Sequence, residues 1–153
     1  MKEKEIIERT AQAVEYFKEG YNCSQSVSMA YADVFNLDLE TVKSISGSFG
    51  AGMGRMREVC GGATGMFMIL GMKYPISDPN DVEAKEDNYA AVQRTAAKFK
   101  ERLGSLICAD LIDVERAPQD VTPSDRNAEY YATRPCALCV AVGAEILGRE
   151  LLD

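Results

Sequence analysis

From Glu58 to Met72 the chain reads EVCGGATGMFMILGM, which is apolar around most of a helix's circumference once past the cysteine. A helix without a polar face has to lie at the centre of whatever encloses it. The flanking segments supply the enclosure. Upstream, Ile6, Ile7, Ala13, Val14 and Phe17 recur at helical spacing and Gly20 provides a stop. Asn22, with Gln25 three positions later, has the form of a capping box, so a second helix is expected to run to about Phe35 and a short third one over Leu39 to Ile45. Downstream, Val82, Tyr89, Val92, Ala96, Phe99 and Leu103 make one apolar stripe. Asp78 is placed to cap that helix, Pro79 suits its first turn and Gly104 ends it. A short helix over Ser105 to Ile112 comes next, then an irregular polar stretch from Glu115 to Arg134 with Pro118 and Pro123 and a turn or two near Ala128 to Tyr131. A last helix runs from "TRPC" to Leu152. No persuasive strand, repeat or linker is visible, so the expected fold is all-α: a single compact domain over residues 1–153, of about six helices.

Composition narrows the chemistry. The formal charge of -7, with no cluster of Lys and Arg, argues against a nucleic-acid partner. The N-terminus is charged and amphipathic rather than signal-like, and the apolar region Gly62 to Met72 is too short to span a bilayer, so no membrane is expected and the chain reads as cytoplasmic. Histidine is absent, which removes a histidine-based triad, mixed Cys/His zinc sites and haem held by histidine. Five cysteines remain, Cys23, Cys60, Cys108, Cys136 and Cys139, and an odd number in a chain read as intracellular points to metal, redox or reactive thiols.

Four of these cysteines fall at expected helix starts: Cys23 after the Asn22 cap, Cys60 after the glycine-rich loop, Cys108 after Ser105, and Cys136 after Pro135. A helix start offers unpaired N–H groups and positive potential, which favour thiolates or an anion bound by them. The alternative is that each is a small core residue. The loop GAGMGR, with Gly50, Gly52 and Gly54, has neither dinucleotide-binding nor P-loop spacing. Its amides and Arg55 are better read as facing the thiol site, where Arg55 would help Cys60 ionise, with Arg57 a solvated surface charge and Met53, Met56, Met66, Met68 and Met72 core fillers.

The ordered blocks GYNCSQSV, FGAGMGRMREVCGGATGMFMILGMKY, FKERLGSLICADLI and CALCVAVGAEIL resemble the C_GCAxxG_C_C family of redox-active proteins over nearly the whole chain. The resemblance implies that Cys23, Cys60, Cys108 and Cys136 are the family cysteines. Gly62 stands where alanine is usual, a change expected only to loosen the helix start, and Cys139 is an addition where an apolar residue is expected. The family is similar to the core of split-Soret cytochrome c, which implies an α-helical homodimer with a cysteine-bound iron–sulfur centre. Haem does not carry over, because no C-x-x-C-H occurs.

Three functions are therefore weighed. The first is an iron–sulfur cluster on Cys23, Cys60, Cys108 and Cys136, cradled by the loop of Gly50, Gly52, Gly54 and Arg55, for electron transfer to a redox partner protein or for redox sensing. The second is thiol–disulfide exchange, with Cys136 and Cys139 as the catalytic C-x-x-C pair. A non-catalytic cysteine-rich zinc site comes third, since zinc ribbons use two close ligand pairs and only one is present.

Overall fold

The computed structural model describes residues 1–116 and 120–152. Pro118 of the polar stretch lies outside the described residues. The fold is all-α, as expected, and no strand forms among the described residues. Its longer elements are α1 (Glu3–Lys18), α2 (Cys23–Met29), α3 (Leu39–Ser46), α5 (Gly61–Lys73), α6 (Val82–Leu103) and α9 (Cys136–Leu152). Short turns of helix lie between them: α4 (Gly50–Met53), α7 (Cys108–Ile112) and α8 (Ala128–Thr133).

The apolar helix takes the central place that its sequence requires. Helix α5 packs on α2, α9 and α6, while α9 packs in turn on α1. Met66, Ile69 and Leu70 of α5 are buried beside Phe17, Val27, Phe99, Val140 and Leu147, each such burial stabilising the fold by about 1.5–3 kcal/mol. Met56 and Met72, expected in the core, are instead exposed.

Small residues let the backbones of α2, α5 and α9 come close. A Cβ built on Gly65 would stand 2.6 Å from the Ser24 carbonyl oxygen, and one on Gly62 would stand 2.7 Å from that of Cys139. Gly62 is therefore a packing requirement of this chain rather than a loosening of the helix start. The deeply buried Tyr31 closes the same region, its hydroxyl donating to the Ala144 carbonyl at 2.7 Å.

Local signals set the boundaries, with three shifts. The Asn22–Gln25 capping box forms in both directions, but α2 stops at Met29 and the chain continues as a 3-10 turn over Ala32–Phe35. Asp81 caps α6 through the Ala84 N–H, because Asp78 spends its side chain on the Asn80 N–H in the preceding turn. Helix α7 begins at Cys108 rather than Ser105, since Ser105 Oγ accepts the Ile107 N–H and the chain there is still extended. Among the described residues, no helix is long and apolar enough to cross a membrane.

Candidate functional site

The five cysteines meet at one end of the α2, α5 and α9 core. Cys23 opens α2, Cys60 is the N-cap of α5, and Cys108 and Cys136 open α7 and α9. The four helix-start positions read from the sequence are thus occupied as expected. Asn22, besides capping α2, donates from Nδ2 to the Gly47 carbonyl at 2.9 Å and ties that start to the glycine loop. Gly61 sits directly against Cys23, where a Cβ would fall 2.8 Å from the cysteine's own Cβ.

Cys60 and Cys108 are fixed to each other by a short extended pairing that no sequence pattern announced. Val59 and Ile107 form an isolated antiparallel bridge. Around it the Cys60 N–H donates to the Leu106 carbonyl at 2.8 Å, and the Cys108 N–H donates to the Glu58 carbonyl at 2.7 Å. Gly52 closes this corner with a φ of 71°, and a Cβ there would meet Cys108 Cβ at 2.6 Å.

All five thiols are free, and Cys136 alone is not fully buried. Two cross-element thiol pairs dominate their ionisation. Cys136 is held in a hydrogen bond with Cys23 that favours its thiolate, assisted by Tyr130 and by the charges of Arg134 and Arg126; its pKa falls to about 6 despite burial. Cys23, on the other side of that bond, is pushed well up, by the bond to Cys136 and then by burial. Cys60 is likewise raised by its hydrogen bond to Cys139 and by burial. Cys108 is raised by burial, partly countered by Arg57, whose Nη1 stands 3.6 Å from Cys108 Sγ. Charge coupling also links Cys23 to Cys60 and Cys108.

Several expectations change here. A helix start does not by itself acidify these thiols: Cys23, Cys60 and Cys108 are raised at such positions, chiefly by thiol hydrogen bonds and burial, and Cys136 is lowered by its bond with Cys23, by Tyr130 and by Arg134 and Arg126. The loop arginines exchange roles. Arg57, read as a surface charge, is 4% exposed and faces Cys108. Arg55, read as the partner of Cys60, turns away to the Asp120 carbonyl at 2.8 Å and to Ser124 Oγ. A run of left-handed residues causes this: Ala51, Met53, Arg55 and Arg57 hold φ between 57° and 68°, which reorients successive side chains in a way spacing does not report. Cys136 finds its dominant partner in Cys23 rather than in Cys139, which pairs with Cys60.

Sequence reasoning misread Arg57 and did not single out Arg126, Tyr130 and Arg134. The signal available for the last three was RNAEYYATRPC, which sets two arginines and a tyrosine pair in the short stretch that leads into Cys136. Gly50, Gly54 and Arg55 of the loop border, with Arg57, Arg126 and Arg134, a cavity of about 440 Å³ beside Cys23.

Among the described residues, no group of three or more Cys, Asp or Glu side chains is arranged to hold a metal ion. What the site does gather is thiols from four elements, electrostatically coupled, beside a buried guanidinium whose Nε has no hydrogen-bond partner. An all-α domain that gathers five free thiols in and around its core belongs to the class of redox-active cysteine proteins. Residues 21–149 match the family model described as "Putative redox-active protein (C_GCAxxG_C_C)", and the chain belongs to the C_GCAxxG_C_C family. No curated protein and no solved structure matches it.

Proposed function

We propose that the site holds an iron–sulfur cluster on Cys23, Cys60, Cys108 and Cys136 and serves electron transfer or redox sensing. The observation that carries this reading is Arg57. Its guanidinium is buried, forms no ion pair among the described residues, and donates to a cysteine sulfur. An unpaired buried cation is strongly unfavourable, and an anion among the thiols would remove that penalty. A thiolate-ligated cluster is such an anion and supplies one-electron chemistry. The chain's contribution is to bring ligands from α2, α5, α7 and α9 together, keep bulk water away from them, and donate a hydrogen bond to sulfur from Arg57, which favours the reduced form. Zinc is less well supported, since zinc ribbons use two close ligand pairs and the sequence holds only one, Cys136 with Cys139.

One observation favours a second reading, the contact between acidified Cys136 and neutral Cys23. In that reading the Cys136 thiolate attacks a disulfide of a partner molecule, forming a mixed disulfide and expelling one partner thiolate. Cys23, losing its proton, then attacks Cys136 Sγ and expels the second.

Anaerobic reconstitution with ferrous iron and sulfide separates the two. The cluster reading expects visible charge-transfer absorption and acid-labile sulfide in the parent, both lost in Cys60→Ser and Cys108→Ser and largely kept in Cys139→Ser. Absorption that survives Cys108→Ser, together with disulfide reduction abolished by Cys23→Ser, would replace it with the dithiol reading.

A further inference from the structure

The cavity beside Cys23 has an unusual charge for this molecule. The chain carries a formal charge of -7, yet Arg55, Arg57, Arg126 and Arg134 all border this one concavity and no carboxylate does, among the described residues. Other arginines are neutralised: Arg9, Arg94, Arg102, Arg116 and Arg149 each form an ion pair with Asp or Glu, whereas none of the four at the cavity does, among the described residues. Asp120 lies close enough to Arg55 to have its own carboxyl drawn down, chiefly by hydrogen bonds from Thr122 and least by Arg55, and it is not among the cavity residues.

Two of these guanidinium groups are held in place by aromatic rings. Arg126 lies 4.2 Å from the Phe17 ring centroid and 5.0 Å from that of Tyr130, and it donates to the Phe17 carbonyl at 2.9 Å and the Tyr21 carbonyl at 3.2 Å. Arg134 lies 5.2 Å from the Tyr130 centroid and makes no side-chain hydrogen bond among the described residues. Its planar fork of donors is thus set in position and unspent. Such a fork suits the oxygens of a carboxylate or phosphate, and fixing it beforehand lowers the entropy lost on binding.

We propose that this cavity binds a small organic anion carrying at least two carboxylate or phosphate groups, next to the thiol cluster at Cys23. About 440 Å³ is in the range of small-molecule pockets and larger than one inorganic oxyanion needs. Four cations gathered against the net charge of the chain repel one another, and a polyanion reverses that repulsion. The Tyr130 ring supplies an apolar wall for the carbon skeleton. The cavity adjoins the proposed cluster site and shares Cys23 and Arg57 with it, while Cys60, Cys108 and Cys136 do not border it.

The test is calorimetric titration of the reduced protein, without iron or sulfide, using citrate and phosphoenolpyruvate, with sodium chloride at matched ionic strength as the blank. Saturable binding of either anion is expected, with citrate assigning a carboxylate preference and phosphoenolpyruvate a phosphate one. Arg55→Gln and Arg134→Gln, both partly exposed and far from the hydrophobic core, should each weaken it by about tenfold or more, the worth of one charge-assisted hydrogen bond. Arg102→Gln, outside the cavity, should leave it unchanged, and circular dichroism checks that each variant is folded. Heats that match the sodium chloride blank, or equal affinity in all three variants, would overturn the proposal. Because the titration is done without a cluster, its failure leaves the reconstitution result untouched, and the converse holds as well.

Discussion

Cys23 with Cys136, and Cys60 with Cys139, are two thiol pairs built from the same parts, yet Cys136 is acidified while Cys60 is pushed the other way. Both join the start of one core helix to the first turn of α9. Cys136 has its thiolate stabilised first by the hydrogen bond with Cys23, then by Tyr130 and by the charges of Arg134 and Arg126. Around Cys60 the named influences are other thiols, burial and one backbone N–H from Gly62, and the neutral form wins. The comparison teaches that a helix terminus is a minor influence on a buried thiol, while hydrogen-bond donors and nearby cations decide whether burial can be overcome.

The largest expected effect that would break this contrast is in alkylation. In the reduced, metal-free protein, iodoacetamide labelling followed by mass spectrometry should show Cys136 titrating with a midpoint near its pKa of about 6. Cys60 should react at least about a hundredfold more slowly at pH 7, since the thiolate is the nucleophile. Equal rates at the two positions would erase the distinction.

Stability should carry the same signature. The folded pKa of Cys136 lies below its unfolded value of about 8.5, so its contribution is fully present above that value and is lost as pH falls through about 6. The unfolding free energy of the reduced protein, read from urea denaturation, should therefore rise between pH 6 and 8.5, by at most about 1.4 kcal/mol per pH unit, and Cys136→Ser should flatten that rise. Above that range the raised thiols Cys23, Cys60 and Cys108 act in the opposite sense, because the unfolded chain releases protons that the folded one retains.

Gly62→Ala probes the deeper pair. The new methyl would meet the Cys139 carbonyl oxygen at 2.7 Å, and separating α5 from α9 there should destabilise the protein by about 1–3 kcal/mol in urea denaturation. A neutral result would mean that α9 can shift to make room. The smallest effect concerns the other pair: Cys23→Ala removes the hydrogen bond that contributes most to the acidity of Cys136 and should raise its alkylation midpoint by about one unit. No change would place that acidity with Tyr130 and the arginines alone.

Much of this architecture was legible because its causes are local. Asn22 with Gln25, the stops at Gly20 and Gly104, and the unbroken apolar face of α5 are short-range features, and the helices they mark are present. The placing of four cysteines at helix starts follows from the same punctuation. The partnership of Arg57 with Cys108 was not legible, because it depends on a left-handed run from Ala51 to Arg57 and on a bridge between Val59 and Ile107, which are 48 positions apart in sequence.

The chain by itself therefore determined which residue types are available, five thiols without histidine, and where each would sit along a helix, since capping and periodicity act over a few residues. Tertiary structure alone decided which thiol meets which, that Cys136 is acidic while Cys60 is not, and that four arginines border one cavity. Desolvation and charge act through space, and the neighbours that set them come from elements far apart in the sequence.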